Sequence, residues 1–189
     1  IPGSLVGSEM CIRDRCIEDA AEIANIHINS WREAYKGLLP QDFLDDRPLY
    51  FKNRYELWKK CTSRDEDIIY IAEHPEHGII GFSNAGPGRD SDKSDYGEVY
   101  CIYLLQKFHK IGLGFKLLKA CFDELLKRNY SQSYLWVLDK NPTIKFYEKT
   151  RAVEIDSPKE IEIADEKVIE RCYGWKSLEL KRQTGQLHP

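Results

Sequence analysis

The residues best suited to chemistry include a short glycine segment, His109-Lys110-Ile111-Gly112-Leu113-Gly114, between a β-rich run and an amphipathic stretch. Glycines between a strand and a helix allow successive backbone N–H groups to turn toward one point. The positive end of the helix dipole lies at the same point, and the combination favours an anion, usually a phosphate. Lys107 and Lys110 add positive charge nearby. The sequence therefore predicts a phosphate site, and a tight turn with solvated lysines is the alternative.

The spacing of the glycines argues against a dinucleotide fingerprint. That motif needs a third glycine, and Leu117 occupies its position here. The segment therefore predicts a phosphate cradle of another kind.

A second segment, residues 141–149, could supply a proton donor. Asn141 is a suitable N-cap for a short helix, and Tyr147 follows on that helix. A tyrosine can act as a general acid toward a leaving thiolate. The alternative is an amphipathic helix that uses Phe146 and Tyr147 only for packing.

A carboxylate precedes the glycine segment and could accept a proton. Glu98 opens the strand that leads to the glycines. A protonated amine is no nucleophile, so an amine-directed reaction needs such a base, directly or through water. The alternative for Glu98 is an ion-paired residue at the start of a strand. His27, Glu33 and Glu73 are weaker candidates, and His27, on an apolar stripe, fits a hydrogen-bonded core histidine better.

Hydrophobic periodicity predicts the elements that position these residues. Helices are expected over residues 18–36, 40–44, 49–61, 112–127 and 142–149, and strands over 67–72, 79–85, 98–105, 133–138, 153–163 and 167–175. Residues 86–95, rich in Gly, Ser, Asp and Pro, are expected to form a mobile loop. The order predicts an α/β (α+β) single domain with a mixed, mostly antiparallel central sheet flanked by helices. Strict βαβ alternation is absent from this pattern.

Composition and charge exclude several classes of protein. Of 189 residues, 42% are hydrophobic and 31% charged, and the net charge is −3, so no basic field suggests nucleic acid. No apolar run approaches the roughly 20 residues that cross a bilayer. The six cysteines form no C-x-x-C pair, which favours free thiols and a cytoplasmic location. His74 and His77 lie in a predicted turn without companion ligands, so no metal is expected.

The two ends of the chain are expected to lie outside the domain. Residues 1–15 look like a translated sequencing-adapter remnant, so we expect an artefactual or disordered leader, although residues 10–13 could still serve as a first strand. Residues 179–189 are polar and are expected to form a loose tail. The domain itself is predicted to span residues 16–178.

Taken together, residues 98–114 and 141–149 resemble the GNAT superfamily of acyl-CoA-dependent N-acetyltransferases. Residues 26–40 resemble a subgroup of small bacterial-type members, and Arg171-Cys172-Tyr173-Gly174-Trp175 fits the last strand of the family. The resemblance covers nearly the whole of residues 16–178. It implies acetyl-CoA as co-substrate and direct transfer of the acetyl group to a primary amine in a ternary complex.

The resemblance also implies roles for individual residues. Tyr147 would be the general acid and Glu98 the base, and a strand amide near Ile102 or Tyr103 would stabilise the oxyanion. The strand would pair with pantetheine, the glycine loop would hold the pyrophosphate, and Asn141 would hydrogen-bond nearby. The implied cofactor-binding residues are Ile102, Tyr103, Leu104, Leu105, His109, Lys110, Ile111, Gly112, Leu113, Gly114 and Asn141.

Three aromatic residues are candidates for the acceptor pocket: Trp31, Tyr35 and Trp136. Ordinary core packing is the alternative for each of them. The acceptor is expected to be a small-molecule or peptide amine, with no nucleic acid or membrane partner. A homodimer is a further expectation.

The chain departs from the family pattern at two places. His109 stands where relatives carry glutamine or arginine, and its side chain or backbone N–H could still donate. Arg151 and Ala152 replace a glycine and a phenylalanine after the Tyr147 helix. Because that glycine normally ends the helix in the left-handed conformation, Arg151 is expected to cost on the order of 1 kcal/mol.

Two other functions are compatible with parts of this pattern. An acyl-CoA-binding sensor or regulatory module would keep the glycine loop and lose the acid–base pair, and the presence of Tyr147 and Glu98 favours the enzyme. A nucleotide-binding protein of another fold is disfavoured by the missing third glycine and by the predicted antiparallel hairpin.

Overall fold

The structure is a computed structural model that describes residues 10–45 and 47–180. Helices are α1 (Ala20–Tyr35), α2 (Gln41–Asp45), α3 (Arg47–Thr62), α4 (Leu113–Lys127) and α5 (Ile144–Lys149). Strands are β1 (Cys11–Asp14), β2 (Ile68–His74), β3 (Gly78–Pro87), β4 (Gly97–Leu104), β5 (Ser133–Leu138), β6 (Val153–Glu154), β7 (Lys159–Ile163) and β8 (Glu166–Trp175).

All eight strands belong to one sheet, in the order β1-β2-β3-β4-β5-β8-β6, with β7 also paired to β8. Every pairing is antiparallel except that of β4 with β5. This architecture confirms the predicted mixed, mostly antiparallel sheet flanked by helices.

The parallel pair is the feature that shapes the site. β4 pairs with β5 only at its first two residues, Gly97 with Ser133 and Glu98 with Tyr134. Beyond them β4 follows β3 as far as Leu104, whereas β5 follows β8 along its whole length. The two strands therefore diverge, and the sheet opens into a V between them.

Helices cover both faces of the sheet because their apolar residues recur at helical spacing. α4 buries one stripe on one face, and α1 and α3 pack against the other with residues such as Ile23 and Trp58. The α4 stripe consists of Leu113, Leu117, Leu118, Cys121, Phe122 and Leu125. Leu126, which follows the last residue of this stripe, is 39% exposed. Its position lies at the edge of the buried stripe.

The segment predicted to be a mobile loop is tied down, so that expectation is wrong. β3 extends through Pro87, and the following loop carries the buried Lys93. The Lys93 Nζ lies 2.9 Å from Asp156 Oδ2 and 3.0 Å from Asp92 Oδ2. Turn-rich composition indicates an irregular backbone, but it carries no information about an ion pair with a residue as distant as Asp156.

Two other predicted boundaries change. The predicted strand over 153–163 is two strands, and both β6 and β7 pair with β8. At the other end, β1 pairs antiparallel with β2, and Arg13 bonds the carboxylates of Asp19 and Glu73. Residues 11–14 therefore form an ordered edge strand. The nature of residues 1–9 and of residues 181–189 lies outside the described residues.

Candidate active site

A cleft of about 330 Å³ fills the V between β4 and β5. β4 and β5 line its sides, and the C-terminal end of α1 and the start of α5 close it. Its lining includes all three residues predicted for the acceptor pocket and the predicted acid, namely Trp31, Tyr35, Trp136 and Tyr147. The strand divergence thus brings together two sequence segments that are far apart along the chain.

The backbone of β4 presents an unpaired edge to this cleft. The N–H of Leu105 donates to the Ile80 carbonyl, and the Tyr103 carbonyl lies against Gly81, so both groups face β3. Because backbone groups alternate along a strand, those of Ile102 and Leu104 face the cleft. Of the strand residues predicted to pair with pantetheine, Ile102 and Leu104 therefore present their backbone groups to the cleft. The backbone groups of Tyr103 and Leu105 point toward β3.

The glycine loop forms a row of outward N–H groups at the start of α4. Lys110 and Gly112 have positive φ angles of 64° and 87°, and α4 begins at Leu113. Within the described part of the chain, no acceptor is found for the N–H groups of residues 110–115. Free amides at a helix N-terminus form an anion-binding arrangement. The geometry fits the predicted phosphate cradle.

His109 occupies a different place from the one expected. Its own N–H donates to the Gln106 carbonyl at 3.0 Å, so the row of free amides begins one residue later. The imidazole folds back onto β4, where Nε2 lies 2.7 Å from the Leu104 carbonyl. A carbonyl only accepts, so Nε2 carries the proton. His109 therefore ties the loop to β4.

Tyr147 lies on the wall of the cleft in an apolar environment. Its side chain is 7% exposed. Burial, reinforced by the neighbouring Tyr35 and Cys101, raises the pKa of Tyr147 well above its usual value of 10. The phenol is therefore a neutral proton donor throughout the ordinary pH range.

Aromatic residues form the α1 side of the cleft. Trp31 donates its indole N–H to the Tyr103 hydroxyl at 2.8 Å, and its ring meets Tyr35 edge-on. Burial raises the pKa values of both Tyr35 and Tyr103. This wall is therefore uncharged and rigid, as suits an apolar chain or an acyl group.

Glu98 lies outside this cleft. Its carboxylate is buried and accepts hydrogen bonds from Arg89 Nε, the Arg89 backbone N–H and the Tyr134 hydroxyl, each at 3.0 Å, and it forms an ion pair with Arg89. It lines a second, outer cavity of about 360 Å³. Tyr100, Trp136 and Glu170 line both cavities, so the two spaces adjoin.

The weaker base candidates are committed to structural contacts. His27 is buried, and its Nδ1 accepts the Trp58 indole N–H at 3.1 Å. Burial lowers the pKa of His27 to about 3, so it is a neutral core histidine, as its sequence position favoured. Glu33 accepts the Gln106 N–H at the rim of the cleft. Glu73 forms an ion pair with Arg13 on the edge strands.

Asn141 is buried on the cleft wall immediately before α5. Its Oδ1 accepts the N–H of Thr143 at 2.9 Å and the Thr143 hydroxyl at 2.7 Å. α5 begins at Ile144, two residues later than predicted, and its N-cap residue is Thr143 rather than the predicted Asn141. Asn141 therefore shapes the turn that presents Tyr147 to the cleft.

Sequence reasoning missed Glu170 and Lys159. Glu170 lines both cavities from β8, and Lys159 lies on the neighbouring β7 in the outer cavity. The β7–β8 register pairs these two residues directly. The alternation in 166–175 could have placed Glu170 on the same sheet face as Cys172, but nothing local identifies that face as the cleft wall.

Among the residues that the structure describes, no helix is long and apolar enough to cross a membrane, and no group of three His, Cys, Asp or Glu side chains is arranged to hold a metal. The six cysteines are free thiols. Burial raises the pKa of Cys121 to about 12, so its thiol is unreactive.

Comparison with known proteins places this geometry in a family. The model of the acetyltransferase (GNAT) family matches residues 26–152. An N-acetyltransferase of Bacillus subtilis, YuaI, is 32% identical over 167 residues, 88% of this chain and 93% of that protein. An N-acetyltransferase of Archaeoglobus fulgidus is 28% identical over 130 residues, 68% of this chain and 82% of that one.

Solved structures share the fold. The PaiA N-acetyltransferase of Thermoplasma acidophilum in complex with coenzyme A has a TM-score of 0.68 at 18% identity, over 86% of this chain and 98% of that one. YncA of Salmonella typhimurium with acetyl-CoA has a TM-score of 0.68 at 16% identity, over 96% and 100%. The family model over residues 26–152 and the match to YuaI show that the chain belongs to the GNAT family of acetyltransferases and is an acyltransferase.

Proposed function

We propose that this protein transfers an acetyl group from acetyl-CoA to a primary amine by direct attack in a ternary complex. The observation that carries the proposal is the cleft where β4 leaves β5, with the free amides of residues 110–115 at one end and Tyr147 in its wall. Relatives of the same fold hold coenzyme A and acetyl-CoA.

The cofactor would be held mainly by backbone groups. The amides of residues 110–115 and the α4 dipole suit the pyrophosphate. The cleft-facing groups of Ile102 and Leu104 suit an extended pantetheine, which would pair as an added strand pairs with a sheet edge. The Leu104 carbonyl already accepts the His109 side chain, so His109 would have to share or release that carbonyl.

The chemistry requires three events at the thioester. The amine nitrogen forms a bond to the acetyl carbon, and the C–S bond breaks. The Ile102 N–H would stabilise the negative charge that develops on the carbonyl oxygen. Tyr147 would give its phenolic proton to the departing sulfur, a role supported by its place on the cleft wall and by its protonated state.

The proton of the attacking amine needs an acceptor. Glu98 is the proposed base, acting through the outer cavity, which shares the lining residues Tyr100, Trp136 and Glu170 with the cleft. Its three hydrogen-bond donors at 3.0 Å hold the carboxylate in position, and they also make it the least accessible part of the proposed machinery.

The alternative function is a non-catalytic acyl-CoA-binding module. It is compatible with the amide row, but it gives no reason for a buried phenol on the wall of the cleft. Wild-type protein incubated with acetyl-CoA and a panel of amines, with detection of released thiol, separates the two functions. Amine-dependent release of CoA supports the enzyme. Tight binding of acetyl-CoA without release across the whole panel supports the binding module.

A further inference from the structure

The outer cavity already holds an alkylammonium group, which belongs to the protein itself. The Lys159 Nζ lies 3.5 Å from the centroid of the Trp136 ring. The same nitrogen lies 3.7 Å from Glu170 Oε2. An aromatic face and a carboxylate together attract a cation, and the attraction strengthens where water is partly excluded.

Strand register creates this arrangement. Lys159 on β7 is the direct partner of Glu170 on β8. On β5, Leu138 is opposite Glu170 and Trp136 is opposite Cys172, so Trp136 and Glu170 lie diagonally on one face of the sheet. The indole is fixed by a 2.8 Å hydrogen bond from its N–H to Asp90 Oδ2.

The charges around the cavity favour a cation. Three carboxylates line it, those of Asp90, Glu98 and Glu170. Of the two cations, Arg89 is committed to Glu98, and Lys159 is the group on the Trp136 ring. Glu170 is partly buried, and desolvation raises the pKa of its carboxyl while Lys159 and Arg89 oppose that shift.

The position also suits an acceptor. Trp136 and Glu170 line the outer cavity and the cleft alike, so an ammonium held there lies at the border of the two spaces. An acceptor that entered through the outer cavity would reach the cleft past the shared residues Trp136 and Glu170. Tyr147 lines the cleft that it would enter.

We propose that the Trp136 ring and the Glu170 carboxylate form the receptor for the acceptor's ammonium group, and that Lys159 fills this receptor until an acceptor displaces it. The inference rests on the proposed function and adds the substrate class. The acceptors are primary amines on an unbranched alkyl chain, like the lysine side chain that occupies the site. An α-amino acid is disfavoured because its own carboxylate would lie beside the Glu170 carboxylate that binds its ammonium group.

Steady-state kinetics with n-pentylamine and with glycine test this proposal. For the wild-type protein, kcat/KM should be at least 10-fold higher for n-pentylamine than for glycine. Lys159→Met removes the competing ammonium, so KM for n-pentylamine should fall about 3- to 10-fold, with kcat and the KM for acetyl-CoA unchanged. Glu170→Gln should raise KM for n-pentylamine by 10-fold or more and leave the KM for acetyl-CoA unchanged.

Matched controls come from the other face of the same hairpin. Glu160 and Lys167 form an ion pair with each other on β7 and β8. Lys167→Met and Glu160→Gln should leave the KM for n-pentylamine at the wild-type value. Because Glu170→Gln could also disturb folding, Trp136→Leu provides a second test that removes the aromatic face without changing charge, and it should likewise raise KM for n-pentylamine.

Each outcome bears on one claim. If wild-type protein acetylates none of the amines, the proposed function fails. If it acetylates n-pentylamine but Lys159→Met behaves like Lys167→Met, and Trp136→Leu leaves KM unchanged, the receptor assignment is wrong while the function stands. A wild-type preference for glycine would overturn the proposed substrate class.

Discussion

At the scale of single residues, Tyr147 combines burial with a place on the cleft wall. Because the charged phenolate is disfavoured there, the folded-state pKa is raised, and the proton stays on oxygen as pH rises through the usual value of 10. A donor of this kind does not limit activity on the alkaline side until that raised pKa is approached.

Tyr147→Phe removes this proton and keeps the ring. We expect kcat to fall by about 100-fold or more, since general acid catalysis typically contributes 100- to 10,000-fold. The KM for acetyl-CoA should change little. Tyr130→Phe, on the loop after α4, is the matched control. Turnover equal to that of the control would remove Tyr147 from the mechanism.

Glu98 differs from Tyr147 because hydrogen bonds and an ion pair hold its side chain, so its substitution should also affect stability. Glu98→Gln leaves Arg89 without its charged partner, and we expect the free energy of unfolding in urea to fall by about 1–3 kcal/mol. This loss is smaller than that for breaking a fully buried ion pair, because the Arg89 side chain is 64% exposed. Glu154→Gln, which breaks an exposed pair with Arg171, should cost less than about 1 kcal/mol.

The same variant tests the base. If Glu98 accepts the amine proton, Glu98→Gln lowers kcat by 10-fold or more under conditions where the protein remains folded. A variant that is less stable but turns over at the wild-type rate would show that Glu98 only holds Arg89 and its loop.

At the scale of elements, the loop before α4 depends on one glycine more than on the other. Gly112 has a φ of 87°, whereas a Cβ at Gly114 would only touch the Phe146 ring at 3.5 Å. Gly112→Ala should therefore strain the loop by about 1 kcal/mol and weaken acetyl-CoA binding several-fold by calorimetry. Gly114→Ala should bind nearly as well as wild type. Equal effects would show that backbone conformation is not what the loop requires.

The end of α5 is the second test at this scale. Arg151 adopts a φ of 70°, and its N–H and that of Ala152 bond the carbonyls of Glu148 and Tyr147. This is the Schellman arrangement, which glycine fits best. Arg151→Gly should raise the free energy of unfolding by about 1 kcal/mol. Lys149→Gly, inside the same helix, should lower it by a similar amount, and a loss in both variants would contradict this account.

For the element boundaries, sequence periodicity was sufficient wherever one face of an element is buried. The stripe of α4 is of this kind, and β5, which is buried on both faces, also keeps its predicted bounds of 133–138. The prediction of one strand over 153–163 failed because the break between β6 and β7 depends on where β8 ends its pairing with each of them. That is a long-range property.

At the scale of the whole molecule, His27 makes stability depend on pH. Its folded-state pKa of about 3 lies far below the usual 6.5 because the ring is buried. Between pH 3 and pH 6.5, His27 binds a proton only in the unfolded chain. The stability that the neutral buried ring contributes is therefore fully present above pH 6.5 and is lost as pH falls toward 3. One such group changes the free energy of unfolding by about 1.4 kcal/mol per pH unit.

His27→Gln should remove this dependence. Urea unfolding between pH 4.5 and 7 should give a shallower slope for His27→Gln than for wild type, by about one proton. His77→Gln, in the turn between β2 and β3, should keep the wild-type slope. If the free energy of unfolding changed equally with pH in all three proteins, His27 would be excluded as the source of that dependence.

The sequence by itself determined the local chemistry. The glycine loop, the short helix that carries Tyr147 and the apolar stripes are set by residues a few positions apart, because backbone conformation and helix or strand period are local properties. Those features were sufficient to predict the family and the sheet. The family resemblance led to the expectation that Tyr147, Trp31, Tyr35 and Trp136 serve one site, and all four line the same cleft.

Only the tertiary structure decided what surrounds these residues. The divergence of β4 from β5, the Arg89 pair that holds Glu98 and the placement of Lys159 on Trp136 beside Glu170 all depend on register between strands distant in sequence. A shift of one residue in that register would turn Glu170 to the opposite face of the sheet. Strand pairing is settled by burial over the whole fold, so no local pattern specifies it.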